Sequence, residues 1–517
     1  MDNLVAESGE AQIDGLDYSL PTTSMAITSR RFVNYFPSGS NVYNATSGNK
    51  VIRFNISADD NQFLDLSSVR MFAILENKDG NANHYLRPIG GLHSFFSRYT
   101  RNVGGQQVQD IIEYNRHCEL YDCFKSKDVR DMDDIENGAN PRWDSDYHQM
   151  ATGLENIVAG ANSGATDGNP AGSVNVNMAG DRNDHGRLQT VYTRHSFSGI
   201  KPNGKMRLSH KPCCGLLGSN YMLPLRYAPL QLEFTIVQNG NDPIVVPQGT
   251  GAGQETDKEG YFFTAGNTST QWELSSIIIR GEQIQADSQI ANNFVSHILN
   301  GGSLKLVFPM YHTITQSFSA GGGEITMQIV KSSSKLTGAF ITLYRPPRQG
   351  TDPITDYFHP DNYAFKRWNY FYNPMINSRI NTSGAVNGEG FQDYTRNLSW
   401  QIQLSNAQKY PEFESQSLSE TFYYLRKALH YMYPDQDSLS FSYRQYRENK
   451  FIIGMSFEKM PDVNFTGYNS KMSGITTFKI KGTEGPLAAN EQIEEIFTPL
   501  ISEAVLEIRE SGSIVYD

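Results

Sequence analysis

Asp131, Asp133, Asp134, Glu136, Asp144 and Asp146 crowd the segment Asp128–Asp146, with His148 just beyond it, and carboxylates at that density can supply oxygen ligands to a divalent cation. The segment lacks the central glycine and closing glutamate of a helix-loop-helix calcium loop, and Arg130 and Arg142 are interspersed, so a solvated, salt-bridged surface is the expectation. Cys213-Cys214 has no partner Cys or His at structural zinc spacing and reads as packed thiols. Gly249, Gly251 and Gly253 form a G-x-G-x-G string, but a phosphate-cradling loop needs a strand before it, a helix after it and usually a Lys-Ser/Thr pair. None is present, so a flexible turn is expected. No G-x-S-x-G or H-E-x-x-H occurs, and the 11 histidines are scattered singly, so that His297 and His312 read as packed or surface groups. Tyr370-Phe371-Tyr372 and Phe422-Tyr423-Tyr424 could stack on bases or sugars, yet few basic residues interleave them and a core or interface role is expected. No catalytic, cofactor-binding or metal-ligating residue is therefore assigned, and no cofactor is expected.

The elements that would have to position any site are mostly strands. With 28 Phe, 28 Tyr, 44 Gly and 22 Pro but only 19% charged residues, the composition favours many strands and tight turns over helical bundles. One segment departs from this. Leu398 to Leu404 alternates apolar and polar with the period of a half-buried strand, a turn at Pro411 is expected, and Ser417 and Glu420 then stand at capping-box spacing. Phe422, Leu425 and Leu429 recur on one helical face, and Arg426 and Lys427 fall in later turns, where the helix dipole favours cations. A helix hung from a strand must pack on a sheet. Gln109 to Phe124 repeats this grammar: Gly104-Gly105 punctuates a β segment before Ile111, Tyr114, Cys118 and Tyr121 take up helical spacing.

Further strands are expected over Lys50–Ile56, Val69–Leu75, Leu188–Phe197, Leu230–Ile236, Trp272–Ile284, Leu304–Phe308, Ile325–Ile329, Leu336–Tyr344, Phe451–Phe457, Ile475–Ile480, Ala504–Ile508 and Ser513–Tyr516. Asp287 or Ser288 can cap a short helix carrying Ile290, Phe294 and Ile298 that ends at Asn300-Gly301-Gly302. Thr152–Gly186 and Asn239–Gly260 read as long loops. A chain of 517 residues exceeds one ordinary core. The division expected is an acidic arm (1–29), a first sandwich (30–285), a connecting helix (286–302) and a second sandwich (303–517), all-β with the same order of elements in both halves.

Lys and Arg total 44 against 55 Asp and Glu, giving a net charge of −11, and no strongly basic block is present to neutralise phosphates. Direct nucleic-acid packaging is disfavoured. The first residues lack a secretory n-region and h-region, and no later segment approaches the ~20 apolar residues of a membrane span, so a soluble protein made inside a cell is expected. Four cysteines, Cys118, Cys123, Cys213 and Cys214, match a reducing compartment.

Trp400–Leu429, WQIQLSNAQKYPEFESQSLSETFYYLRKAL, resembles the segment of double jelly-roll major capsid proteins in which a strand, a Tyr-Pro-Glu turn and a Ser-x-x-Glu helix follow in order. Glu458–Gly482 resembles the Glu-Lys…Phe-Thr-Gly-x-Asn segment of the same family, and Leu506–Asp517 its closing strands. Leu92–Arg116 and Tyr221–Val237 are similar to their counterparts in the capsid proteins of Polinton-like viruses, adintoviruses and virophages. The resemblance spans most of the chain, with departures mainly in the loops Thr152–Gly186, Asn239–Gly260 and Pro346–Gly390. It implies two eight-stranded jelly rolls side by side and homotrimers of pseudo-hexagonal outline that tile, with neighbouring trimers, an icosahedral shell around double-stranded DNA. It also implies penton and minor capsid proteins as further partners, no sequence-specific nucleic-acid binding and no enzymatic activity. The expected location is the virion, after synthesis in the host cytoplasm. A β-sandwich lectin or glycan-active enzyme is the rival, and it requires a ligand cleft.

Overall fold

The computed structural model describes residues 27–44, 46–58, 62–82, 84, 86, 88, 90–138, 200–212, 215–219, 221–244, 269–318, 324–344, 371, 398–404, 408–432, 439, 446, 450–460, 465–471, 476–482, 493–510 and 512–517. The expected strand Leu188–Phe197, the loop Thr152–Gly186, the Gly249–Gly253 string, Cys213-Cys214, Asp144, Asp146 and His148 lie outside them, as do residues 1–26 of the acidic arm.

Alternation builds the sheets. In β1 (Ile27–Tyr35), β2 (Val42–Asn44), β3 (Val51–Ile56) and β4 (Gln62–Asn77), it is β3 that shows the pattern cleanly, with Ile52, Phe54 and Ile56 buried and Arg53 and Asn55 exposed. The hairpin of β5 (Phe96–Val103) and β6 (Gln106–Ile112) turns at Gly104-Gly105, both at positive φ, where glycine avoids the Cβ penalty. Helices α1 (Tyr114–Cys123) and α2 (Lys127–Asn137) come next, then β7 (Lys205–His210), β8 (Met222–Pro224), β9 (Leu230–Ile236) and β10 (Trp272–Ala286). Helix α3 (Ser288–Leu299) leads into β11 (Leu304–Ser317), β12 (Ile325–Ile329), β13 (Leu336–Tyr344), β14 (Leu398–Leu404) and β15 (Gln408–Ser415). Helix α4 (Leu418–Met432) and strands β16 (Ile452–Ser456), β17 (Thr476–Gly482), β18 (Glu495–Arg509) and β19 (Gly512–Tyr516) complete the order.

The sheets run β1-β10-β4-β7 and β3-β9-β5-β6 in the first half, and β11-β18-β13-β16 and β12-β17-β14-β15 in the second. Leaving aside the side strands β2, β8 and β19, each half shows eight strands among the described residues, and ranking them along the chain gives one rule for both. The first, eighth, third and sixth strands form one sheet; the second, seventh, fourth and fifth form the other. Every named pairing is antiparallel. Two such four-stranded sheets packed face to face are a jelly roll, so the chain is a double jelly roll. In both halves the connection from the fifth to the sixth strand carries the helices, α1 and α2 in one and α4 in the other.

Two expectations are corrected, and one segment gains an element. Pro411 is no turn: it lies inside β15, an edge strand where a missing N–H breaks no ladder hydrogen bond. Ile111 belongs to β6, so α1 starts only at Tyr114. Lys127–Asn137, read as a solvated, salt-bridged surface with no element assigned, is a helix, with the Ser126 hydroxyl accepting a hydrogen bond from Val129 N at its start and Gly138 closing it at φ 83°.

The two cores are aromatic. Tyr99, Tyr114 and Phe234 stack between the first pair of sheets, with ring centroids 4.9 to 6.2 Å apart. In the second, Trp400 is buried, donates its indole N–H to Thr421 at 2.9 Å and meets Tyr424 edge-on. Each buried ring of this kind contributes about 1.5–3 kcal/mol by removal from water.

Candidate assembly site at the seam between the sandwiches

β6, α1 and the turn Gly215–Gly218 of the first roll lie against β11 and β13 of the second. A free strand edge needs partners for its N–H and C=O groups. Here the Gln109 side chain supplies them: its amide nitrogen donates to Tyr311 O while Tyr311 N donates to Gln109 Oε1 at 3.2 Å. Thr313 returns the favour to β6, its hydroxyl accepting from Ile112 N at 2.9 Å and donating to Ile112 O at 2.7 Å. Side chains thus replace a ladder between the rolls. His117 and Tyr121 of α1 pack their rings on Tyr311 at 5.3 and 5.1 Å, and Phe124 stacks on Phe340 at 4.5 Å, so β13 is buried along its whole length. Gly215, at φ 68°, lets its turn approach: a Cβ there would stand 2.7 Å from Arg101 Nη2 and 3.2 Å from Pro309 O.

Charge pairs lock the same seam. Arg116 of α1 is ion-paired with Glu495 of β18 and lies 4.7 Å over the Tyr344 ring. Tyr344, buried there, has its phenol pushed up to about 12 by desolvation. Lys450, ahead of β16, is buried and reaches Glu119 of α1 at 3.2 Å, and Arg130 of α2 reaches the same carboxylate at 3.0 Å. His93 and Asp122 complete the node, and with Glu119 they place three potential ligand atoms within 4.8 Å of one another. The two carboxylates, however, already face Lys450, Arg130 and, at 2.8 Å from Asp122, Lys125. Burial pushes the Asp122 carboxyl up, but the charges of Lys125, His93 and Arg130 outweigh it and hold the group below its ordinary value. A divalent cation would have to enter against three fixed positive charges. The node is an electrostatic clamp, and its members were invisible to motif spacing because Lys450 and Glu119 are 331 residues apart.

The remaining sequence candidates fall elsewhere. His297 sits on α3, exposed, with Nε2 3.4 Å from Ser303 O, and His312 of β11 faces Asp517 at 3.4 Å. Phe371 is buried against Tyr344, Phe422 stacks on Tyr446 at 4.8 Å, and only Tyr423 of its triplet is exposed. Within the acidic segment, Asp133 pairs with Lys125 at 2.7 Å and Glu136 with Arg70. The buried Cys118 and Cys123 are thiols not joined in a disulfide.

A cavity of about 230 Å³ opens on the outer face of the β12-β17-β14-β15 sheet, lined by Glu324, Gln403, Lys409, Glu414 and Lys479 among others. Its polar groups are mutually engaged, with Ser399 donating to Glu414 at 2.9 Å and Gln401 to Pro411 O at 2.9 Å. Trp400, the one aromatic in its lining, turns its ring into the core. Sugar recognition uses an exposed apolar or aromatic platform with a few free polar groups, and this cavity lacks the platform.

Neither a protein-family model nor a curated protein matches the chain. Solved structures do. The coordinates of PBCV-1 VP54 fitted into the virophage Sputnik are 11% identical, with a TM-score of 0.52 over 94% of this chain and 96% of that one. A chain of the Sputnik virophage structure is 10% identical, at a TM-score of 0.50 over 98% and 92%. The Faustovirus major capsid protein is 9% identical, at 0.50 over 98% and 94%. At such identities the likeness is one of fold, and it extends across both jelly rolls.

Proposed function

We propose that the chain is the major capsid protein of a double-stranded DNA virus, a structural protein with no enzymatic role. Its two jelly rolls, taken as 30–285 and 303–517 joined by the helix at 286–302, would form homotrimers of pseudo-hexagonal outline. Neighbouring trimers would then tile an icosahedral shell, with penton and minor capsid proteins as further partners and the virion as location after synthesis in the host cytoplasm. The observation that carries this reading is the clamped seam: two sandwiches of one topology are held as a single prism by ion pairs and buried rings. Three prisms present six similar walls, which lets a heterologous contact close and then tile. Fold likeness to capsid chains over 94–98% of the length supports it. The net charge of −11 suits a shell that does not adhere to its genome. Among the described residues no helix is long and apolar enough to cross a membrane.

Light scattering after size exclusion, with negative-stain imaging, tests the reading. A particle of three times 58.0 kDa with a near-hexagonal face is expected. A monomer that binds or hydrolyses glycans would refute it in favour of the sandwich lectin or enzyme. Salt-sensitive, tight DNA binding by the purified trimer would contradict the shell-only role.

A further inference from the structure

The elements that one roll uses to hold its neighbour inside the chain have counterparts that hold nothing. In the seam, β6 and the helix after it, from the first roll, cover the edge strand β11 and the outer side of β13 in the second. By strand rank β15 and α4 are the counterparts of β6 and its helices, β1 is the counterpart of β11, and β4 of β13. Two of these equivalences can be checked by register. Tyr35 pairs with Ile279 and Ile279 with Met71, while Tyr311 pairs with Ile501 and Ile501 with Gly338. Met71 and Gly338 each stand six residues before the ends of their strands, Asn77 and Tyr344. Tyr35 and the buried seam residue Tyr311 therefore occupy equivalent places.

The large apolar exposures on these elements fit that correspondence. Phe32 and Phe36, at the edge of the first roll, are 71% and 67% exposed, and Phe413 of β15 and Tyr423 of α4 are 82% and 59% exposed. Phe72 of β4, one residue from the Met71 register point, is only half-buried beneath Arg280, whereas Phe340 of β13 is fully covered by the seam.

We infer that the β15–α4 face of one copy docks on the β1 edge of a second copy, repeating between chains the contact that β6–α1 makes with β11 within one. The interface is heterologous, Phe413 and Tyr423 on one side and Phe32 and Phe36 on the other. Each chain donates one face and receives one, so the contact propagates until rotation closes it. The inference rests on the capsid reading for the number of copies and supplies the surface by which they meet.

Phe36→Glu and Phe413→Glu test it, because both side chains are exposed in the isolated chain and neither substitution disturbs a core. Each variant alone is expected to run as a folded monomer of 58.0 kDa with a circular-dichroism spectrum like that of the wild type. An equimolar mixture should give a 1:1 heterodimer and nothing larger, since one intact Phe36 edge meets one intact Phe413 face and the second contact is broken. Met132→Glu on the exposed side of α2 serves as a control that leaves the wild-type oligomer intact. If either phenylalanine variant keeps the wild-type oligomer, or the mixture stays monomeric, the inference falls while the capsid reading stands. If the wild-type chain is itself a monomer, both fall.

Discussion

The two jelly rolls solve one topological problem with different chemistry. Between its fifth and sixth strands the first roll inserts α1 and α2, tied down by charge: Glu119 faces Lys450 and Arg130, Asp122 faces Lys125, and Arg116 faces Glu495. The second roll inserts α4, held by apolar burial: Leu425, Ala428 and Leu429 are buried, Leu425 lies against Gly454 and Thr421 bonds the Trp400 indole. The difference follows from position. α1 lies where two rolls meet, and matching charges across such a joint fix one register while leaving wrong registers unpaired. Within the chain α4 has only its own roll to close, and non-directional apolar packing suffices there.

The comparison breaks most visibly at Leu425. Leu425→Asp would bury an unpaired carboxylate among Phe340, Gly454 and Ala428, and the expected outcome is loss of folded, soluble protein. The same change to the exposed Met132 of α2 should leave expression and circular dichroism unaltered. Equal sensitivity at the two positions would show that α4 is not packed as described.

Next in size is the clamp. Lys450→Met removes one of two cations from a buried carboxylate and should cost about 3 kcal/mol in urea unfolding, the range for breaking a buried pair. Adding Glu119→Leu should cost less than the two single losses sum to, because each single change already breaks the Lys450–Glu119 pair, although Arg130 then loses the same carboxylate. A strictly additive double variant would mean that the two residues do not interact.

Acid should separate the helices without any substitution. The Asp122 carboxyl is held below its ordinary value of 3.8, so its contribution is fully present above that value and is lost as pH falls through the lowered folded one. α4 is anchored by Leu425, Leu429 and the Trp400–Thr421 bond, which do not titrate in this range. Hydrogen exchange followed from pH 5 down toward 2 should therefore lose protection in α1 before α4. Simultaneous loss, or loss in α4 first, would contradict a charge-held first helix.

These contrasts also explain what could be read in advance. Trp400, Ile402 and Leu404 alternate with Ser399, Gln401 and Gln403 because one side of β14 is core, and α4 announced itself through Phe422, Leu425 and Leu429 for the same reason. Burial against one's own roll leaves a period in the sequence. β1 left little: most of its residues are exposed at an edge, and only Val33 and Tyr35, at its end, are partly buried. α2 was hidden because its apolar residues Val129, Met132 and Ile135 face solvent among carboxylates. The clamp was out of reach altogether, since Arg116 and Glu495 are 379 positions apart and only the fold brings them together.

The smallest expected effect sharpens the comparison furthest, because α2 and α4 start with the same device. Ser126 accepts from Val129 N at 3.3 Å and Ser417 from Glu420 N at 3.1 Å, two serine caps of near-equal geometry. Replacing a cap serine with alanine costs a helix about 1 kcal/mol. For Ser417→Ala that loss should appear in global stability, because α4 is buried into the second core and cannot unravel without opening it. For Ser126→Ala it should appear only locally, as faster exchange in the first turn of α2 with an unmoved unfolding midpoint, since that helix exposes its apolar face and can fray alone. Identical global losses from the two substitutions would mean that α2 is bound into the first roll as tightly as α4 is into the second.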